Sequence, residues 1–465
     1  MHELETDYLI VGAGAAGMAF ADSLVTESDA DVVMVDRRDR PGGHWRNAYS
    51  FVRLHQPSPF YGVNSRRLGN DSIDQSGSNA GLYERATGAE VVAYFDQVLD
   101  EQFLPSGRVR FFGMSDYVGG EGDRHRFASN LTGETTEVRV RKRWVDATYQ
   151  QTRIPSTTVP SFGWDPDVTV IPVNGLVDQR EPADSYTVLG AGKTAMDACC
   201  WLLDNGVDPG AIRSVRPRDA WFLDRSLVQP REMVGTVMDG TARSVEAAAT
   251  AESLDDLFAR LDDNGYLLRI DESVTPTMYR CATMSRSEID SVGSIEDVVR
   301  LGRVRHVGAD AIELDHGSLP TRPNEVIVDC TAEGLRVRPP RPVFEPTRIT
   351  PQQVRTCQPT FNSALIAFVE TLDVDDAAKN GLCPPNPYPS AATDLAAAIA
   401  ISTGAELAWF ADPDVSDWLA RSRLNATFGL ADHMDEPETN SAVNRFVTNA
   451  GPAIDNLHRL GASFG

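Results

Sequence analysis

Short apolar runs that end abruptly in glycine recur along this chain. Tyr8-Leu9-Ile10-Val11 runs into Gly12-Ala13-Gly14-Ala15-Ala16-Gly17. Tyr186-Thr187-Val188-Leu189 runs into Gly190-Ala191-Gly192-Lys193-Thr194-Ala195. Unbroken apolar character over a short stretch fits a strand buried on both faces, as in a parallel sheet. After each glycine turn the spacing becomes helical, over 18–24 and 196–203, and then returns to strand over 32–35 and 212–215. The pattern predicts two β-α-β units of the same kind.

Elsewhere the pattern is less regular. Residues 40–68 read as loop, and 90–102 carry helical spacing. Residues 109–144 alternate and are broken by glycine, which predicts an antiparallel meander. The proline-bearing stretch 150–180 reads as a connection. Helical pairs or single helices are predicted over 244–264, 287–301, 390–410 and 415–424, and a short buried strand over 326–329. The fold class is therefore α/β, with two Rossmann-like, doubly wound, mainly parallel units and a helical C-terminal region.

The glycine spacing has a chemical meaning. The first glycine turns the chain sharply into the helix, the second lets backbone approach a pyrophosphate, and the third lets helix pack close to strand. The helix N-terminus then offers free N–H groups to the phosphates. In the first unit Asp36 ends the next strand about 20 residues beyond Gly17, where a carboxylate accepts from ribose hydroxyls and repels a 2′-phosphate. Gly12, Gly14, Ala15, Ala16, Gly17, Asp36 and Arg37 are thus candidate ligands of FAD, favoured over NAD by the N-terminal position. Gly42-Gly43-His44-Trp45 follows at once, and Gly43, His44 and Trp45 are candidates to lie against the flat ring system. In the second unit the strand ends not in an acid but in Val215-Arg216-Pro217-Arg218. Arginine there suits the 2′-phosphate of NADPH, with Gly190, Gly192, Lys193 and Thr194 at the pyrophosphate. A triphosphate-binding loop would need glycine at position 187, which is Thr.

Composition narrows the partners. Of 465 residues, 43 are Lys or Arg and 67 Asp or Glu, a formal net charge of −24. Such a surface repels nucleic acid and anionic lipid. No apolar run reaches the roughly 18 residues of a spanning segment, and a strand pattern starts within the first residues, which leaves no room for a signal peptide. A cytoplasmic location is expected, with no nucleic acid or membrane partner. A homo-oligomer is compatible with all of this. The six cysteines, at 199, 200, 281, 330, 357 and 383, have no metal-ligand or CxxC spacing. They read as reduced thiols, and no metal site is expected.

The two glycine motifs with Asp36, the stretch Gly42-Gly43-x-Trp45-Arg46, and the strands Trp144-Val145-Asp146-Ala147-Thr148 and Val328-Asp329-Cys330-Thr331-Ala332 resemble the two-dinucleotide-binding-domain flavoproteins. Within them the chain is similar to class B flavin monooxygenases and Baeyer–Villiger enzymes, as a divergent branch. Their linker fingerprint Phe-x-Gly-x-x-x-His is absent, and the region reads Ile171-Pro172-Val173-Asn174-Gly175. The resemblance implies an FAD domain over 1–150, an NADPH domain with a helical insertion over 151–324, and a return to the FAD domain with a helical substrate region over 325–465. It places Thr331 and Ala332 at the cofactors. It also implies a peroxyflavin that oxygenates a small or medium organic substrate with O2. The loop Arg53-Leu54-His55-Gln56 falls where the family keeps a polar residue beside the flavin, so His55, Gln56 and Arg53 are the candidate catalytic residues, His55 as a donor or as a proton exchanger near neutral pH. Two other readings stay open: a reductase, dehydrogenase or oxidase of the same fold without oxygen insertion, and a non-catalytic flavoprotein.

Overall fold

The computed structural model describes residues 2–464. Two parallel sheets organise the chain. In the first, His2–Val11 lies between Val32–Val35 and Thr135–Asp146, parallel to both. Val109–Phe112 and the short strands Arg348–Ile349 and Phe344–Glu345 extend its two edges. The second sheet runs in the order Asp297–Val299, Ile212–Val215, Ser185–Leu189, Glu325–Asp329, Thr169–Pro172, all parallel. The fold is α/β with two Rossmann-like units, as the hydrophobic pattern predicts.

The helices cover these sheets. Ala15–Glu27 packs its Phe20 and Leu24 with Phe361, Leu365 and Phe368 of the Pro359–Thr371 helix in the core over the first sheet. Val234–Thr250, Asp394–Ala411 and Pro437–Arg459 form a separate helical cluster with its own core. Arg445 ties the third of these helices to the first through Asp239 and Glu246. The Asp394–Ala411 helix, with mean hydropathy 1.2, is long and apolar enough to cross a membrane, which corrects the expectation that no run reaches that length; 56% of it is buried inside the fold.

Several sequence expectations need correction. The strand Val109–Phe112 is a parallel edge strand of the first sheet, and only Ser115–Glu121, Arg124–Ser129 and Thr135–Asp146 form the antiparallel meander. Alternation alone does not distinguish the two, because an edge strand exposes one face either way. The connection 150–180 contributes Thr169–Pro172 to the second sheet. The helix expected over 287–301 stops at Gly293, and Asp297–Val299 pairs with Ile212–Val215 instead. The strand Glu325–Asp329 belongs to the second sheet, so the chain leaves that sheet after Asp329 rather than at 324. Finally, Cys281 and Cys357 form a disulfide across a sequence separation of 76, against the expectation of six reduced thiols, while Cys199, Cys200, Cys330 and Cys383 are free.

The third glycine of the first turn shows how tightly sequence and packing are joined. A Cβ on Gly17 would lie 1.9 Å from the Gly12 carbonyl oxygen, whereas one on Gly14 meets nothing closer than 3.8 Å. Gly17→Ala must therefore push the helix off the strand, and overpacking against fixed backbone costs about 3 kcal/mol or more. Gly14→Ala should melt close to the wild type. Thermal denaturation of the two variants checks this, and equal melting temperatures would refute the packing argument.

Candidate functional site

Neither the helix that starts at Ala15 nor the one that starts at Lys193 has a side chain capping its N-terminus, and each follows directly on a glycine turn from a parallel strand. A helix leaves its first N–H groups without intrahelical partners, so such an end is open to an anion. At the first turn Asp36 is buried. Its Oδ2 accepts from the Ala13 N–H at 2.6 Å and its Oδ1 from the Arg38 N–H at 2.8 Å. The carboxylate expected to serve a ribose thus also closes its own turn. Gly42 and Gly43, both with positive φ, fold back so closely that a Cβ on Gly43 would sit 3.0 Å from the Gly14 Cα. Gly12, Gly14, Ala15, Ala16, Gly17, Asp36 and Gly43 are therefore brought together, with Arg37 exposed beside them. None of these lines the large cavity; His44 and Trp45 do.

That cavity, of about 870 Å³, runs from His44 and Trp45 past the second glycine turn into the helical cluster. Gly190, Gly192, Lys193, Thr194, Thr331 and Ala332 all line it. Lys193 pairs with Asp197, whose other oxygen accepts from the Tyr49 hydroxyl at 2.6 Å. The lysine is thus anchored within its own helix. Of the two arginines expected at the phosphate, Arg218 lines the cavity. Arg216 is buried behind the wall, with Nε donating to Ser214 Oγ at 2.9 Å and one guanidinium nitrogen without a partner. Two arginines that sequence reasoning missed, Arg280 and Arg303, line the cavity beside Arg218. Burial lowers the Arg280 pKa; Glu333 opposes that, and Arg218 and Arg303 depress it further. Like charges gathered this way make a positively charged corner of the cavity.

The loop of Arg53, His55 and Gln56 also lines the cavity. Arg53 donates to the Arg85 carbonyl at 3.0 Å, and Gln56 to the Phe60 carbonyl at 3.3 Å. The His55 carbonyl accepts from Arg225 Nε at 2.9 Å and from Thr283 Oγ1 at 2.6 Å. Arg225 is fully buried and forms an ion pair with Glu288 at 2.6 Å; Arg85 reaches the same carboxylate at 3.3 Å. Burial alone would raise the Glu288 carboxyl, but Lys193, Arg225 and Arg85 outweigh it and hold it at about 2. The only sequence signal at Glu288 is the capping box it forms with Ser285, which reads as a helix start and nothing more.

These cations set the state of His55. Burial, then Lys193, lower its pKa to about 4, with Arg225 and Arg85 adding to the effect and Asp197 opposing it. The ring is neutral at pH 7, so the expected proton exchange near neutral pH does not hold; a neutral ring still donates through one nitrogen. His44 is likewise held at about 4, by burial and by Arg38.

Deeper in the cavity, Arg355 is held by Gln358 at 2.6 Å and Asn425 at 2.9 Å and stacks 3.7 Å over the Phe361 ring. Glu406 faces it at 3.8 Å, its carboxyl raised by burial against the pull of Arg355. The Cys281–Cys357 disulfide lies in the same wall.

The His55 environment fixes a pH dependence. The folded pKa of about 4 lies below the ordinary 6.5, so between those values the unfolded chain binds a proton that the folded chain refuses. This contribution to stability is complete above 6.5 and is lost as pH falls toward 4. His55→Gln keeps the backbone carbonyl and should flatten the fall in melting temperature across that window. An unchanged slope would mean the ring is solvated.

Residues 10–56 match the NAD(P)-binding Rossmann-like domain family. Among solved structures the chain is similar to a flavin monooxygenase from Stenotrophomonas maltophilia, at 13% identity over 82% of this chain and 99% of that one, with a TM-score of 0.46. It is also similar to an open form of cyclohexanone monooxygenase, at 14% identity over 79% and 88% with a TM-score of 0.45. The bacillithiol disulfide reductase of Staphylococcus aureus follows at 10% identity over 79% and 98%, with a TM-score of 0.43. Two relatives, the uncharacterized proteins Mb2023 of Mycobacterium bovis and Rv2000 of Mycobacterium tuberculosis, are each 46% identical over 460 residues, which span 98% of this chain and 84% of theirs. The chain belongs to the family of these mycobacterial proteins and carries a NAD(P)-binding Rossmann-like domain near its N-terminus.

Proposed function

We propose that this protein is an FAD-dependent, NADPH-using oxidoreductase, and within that class a monooxygenase of a small or medium organic substrate. The observation that carries the reading is a pair of uncapped strand-to-helix turns, one on each parallel sheet, with a single cavity linking Trp45 to the second turn. When bound, FAD would take a hydride from NADPH and, once reduced, react with O2.

The residues fit both groups. Free N–H groups at Gly14 to Gly17 suit the flavin pyrophosphate, with Gly43, Arg37 and the shared oxygens of Asp36 beside it, and His44 and Trp45 lead toward the ring. Gly190, Gly192 and Thr194 suit the second pyrophosphate, with Thr331 and Ala332 beside them at the end of the neighbouring strand. The corner of Arg218, Arg280 and Arg303 suits a 2′-phosphate better than Arg216, which is buried and does not line the cavity. His55 offers a neutral N–H donor into the cavity, and the apolar lobe near Leu395, Ile399 and Phe446 gives room for an organic substrate. A reductase of the same architecture is favoured by one observation, the disulfide in the cavity wall.

Stopped-flow absorbance tests the main reading: NADPH should bleach the flavin, and O2 should then give a transient species ahead of reoxidation. Direct reoxidation without a transient would leave the oxidase or reductase. Gly14→Ala should lower FAD content while the fold persists. NADPH should be preferred over NADH. A charge-assisted contact to phosphate is worth roughly 1.5–3 kcal/mol, about a factor of 10 to 100 in affinity. Arg218→Ala and Arg303→Ala should each remove much of the preference, and Arg216→Ala should not. A preference lost only in Arg216→Ala would overturn this assignment. His55→Ala should leave reduction by NADPH nearly intact and raise hydrogen peroxide released per NADPH consumed; an unchanged ratio would remove His55 from the oxygen step.

A further inference from the structure

The only disulfide among the described residues lies where the core of the helical cluster meets the cavity. Cys281 sits in the strand Met278–Met284, beside the second sheet, and Cys357 in the segment leading into the Pro359–Thr371 helix, which covers the first. The bond thus joins the two halves of the chain within the cavity wall, which both cysteines line. Cys281 is buried and Cys357 half-buried. Both have positive φ, 59° and 66°, a region costly for residues with a Cβ. Only six non-glycine residues among those described share that conformation, and two of them are the partners of this one bond.

The surroundings point the same way. Thr283, two positions beyond Cys281 on the same strand, holds the His55 carbonyl at 2.6 Å. Tyr388 is near Tyr61, whose hydroxyl accepts from Trp45 Nε1 at 2.7 Å. Both cysteines therefore line the same cavity as His55 and Trp45. The Tyr279 hydroxyl lies 3.9 Å from Cys357 Sγ. Burial keeps that phenol protonated, so its O–H can donate a hydrogen bond to a thiolate at Cys357, with the proton for the thiol coming from solvent.

We propose that Cys281–Cys357 is a redox-active disulfide that accepts electrons originating from NADPH and, as a dithiol, reduces small disulfides entering the cavity. The inference rests on the FAD and NADPH reading. In the first step the S–S bond breaks and two S–H bonds form, with NADPH and one proton consumed and NADP+ released. In the second, the accessible Cys357 sulfur attacks an external disulfide, one external thiol leaves, and Cys281 displaces the other as the internal bond re-forms. The more exposed sulfur suits the attacking role.

Thiol counting tests this without any assay of turnover. Protein prepared in air and denatured with an alkylating probe should show the four free cysteines, and protein treated anaerobically with NADPH should show all six. Cys357→Ser should be bleached by NADPH like the wild type, but take up one equivalent less before saturation. Dithiothreitol on the native fold should expose Cys281 and Cys357 to the probe while Cys199, Cys330 and Cys383 stay protected. Flavin that bleaches while the thiol count stays at four overturns the inference and leaves the cofactor reading standing. Flavin that does not bleach with NADPH fails the cofactor reading, and the inference with it. Six thiols before any reductant, or a bond that opens only on unfolding, overturns the inference alone.

Discussion

The site depends on one buried guanidinium. Arg225 has no exposed side-chain surface, and its donors go to the His55 and Thr283 carbonyls, to Asn79 Oδ1 and to Glu288. Those partners lie in the loop after the first glycine unit, in the strand beside the second sheet and in the helix Arg286–Gly293. A single side chain thus fixes how the two halves meet at the cavity. Removing one partner of a buried pair leaves a naked charge and costs about 3–5 kcal/mol. Burial pushes Arg225 down to about 10, with Arg85 adding to that and Glu288 opposing it. The guanidinium remains charged at neutral pH, and Glu288 remains ionised to match it.

This arrangement explains why His55 differs from its sequence reading. A histidine in a polar loop suggests a residue that exchanges protons near neutral pH. Here three cations, Lys193, Arg225 and Arg85, surround a ring withdrawn from bulk water, and each disfavours a fourth positive charge. What survives is a fixed, neutral hydrogen-bonding group. Such a group suits orienting or stabilising work better than proton relay at pH 7.

The fold was legible wherever its cause is local. Strand, glycine turn and helix follow one another within a few residues, and the reason for Gly17, close approach to Gly12, acts over five positions of chain. The corner of Arg218, Arg280 and Arg303 was only one-third legible, because Arg218 ends a β-α-β unit while Arg280 arrives from the strand Met278–Met284 and Arg303 from the turn before the strand Val304–Val307. The placement of Arg216 was missed for a related reason: which of two arginines around a proline faces a cavity depends on Ser214 and on the packing behind it. The disulfide was illegible, since a separation of 76 residues carries no spacing signal. The strand Asp297–Val299 was hidden by the capped helix just before it, whose periodicity reads on past its true end.

Net charge and local charge lead to opposite expectations for an anionic ligand, and distance decides between them. At −24 overall, the surface repels a pyrophosphate-bearing molecule at long range. Exposed charges are screened beyond about 8 Å at physiological ionic strength, and beyond that distance the surface acts only weakly. Within it, the ligand meets three arginines on one wall with Glu333 as the acid that most offsets Arg280, and a helix end with no cap of its own. A low-dielectric cleft strengthens these terms relative to water. The net charge therefore opposes an anion chiefly at long range, and within the cleft the local arginines outweigh it for a ligand with few phosphates.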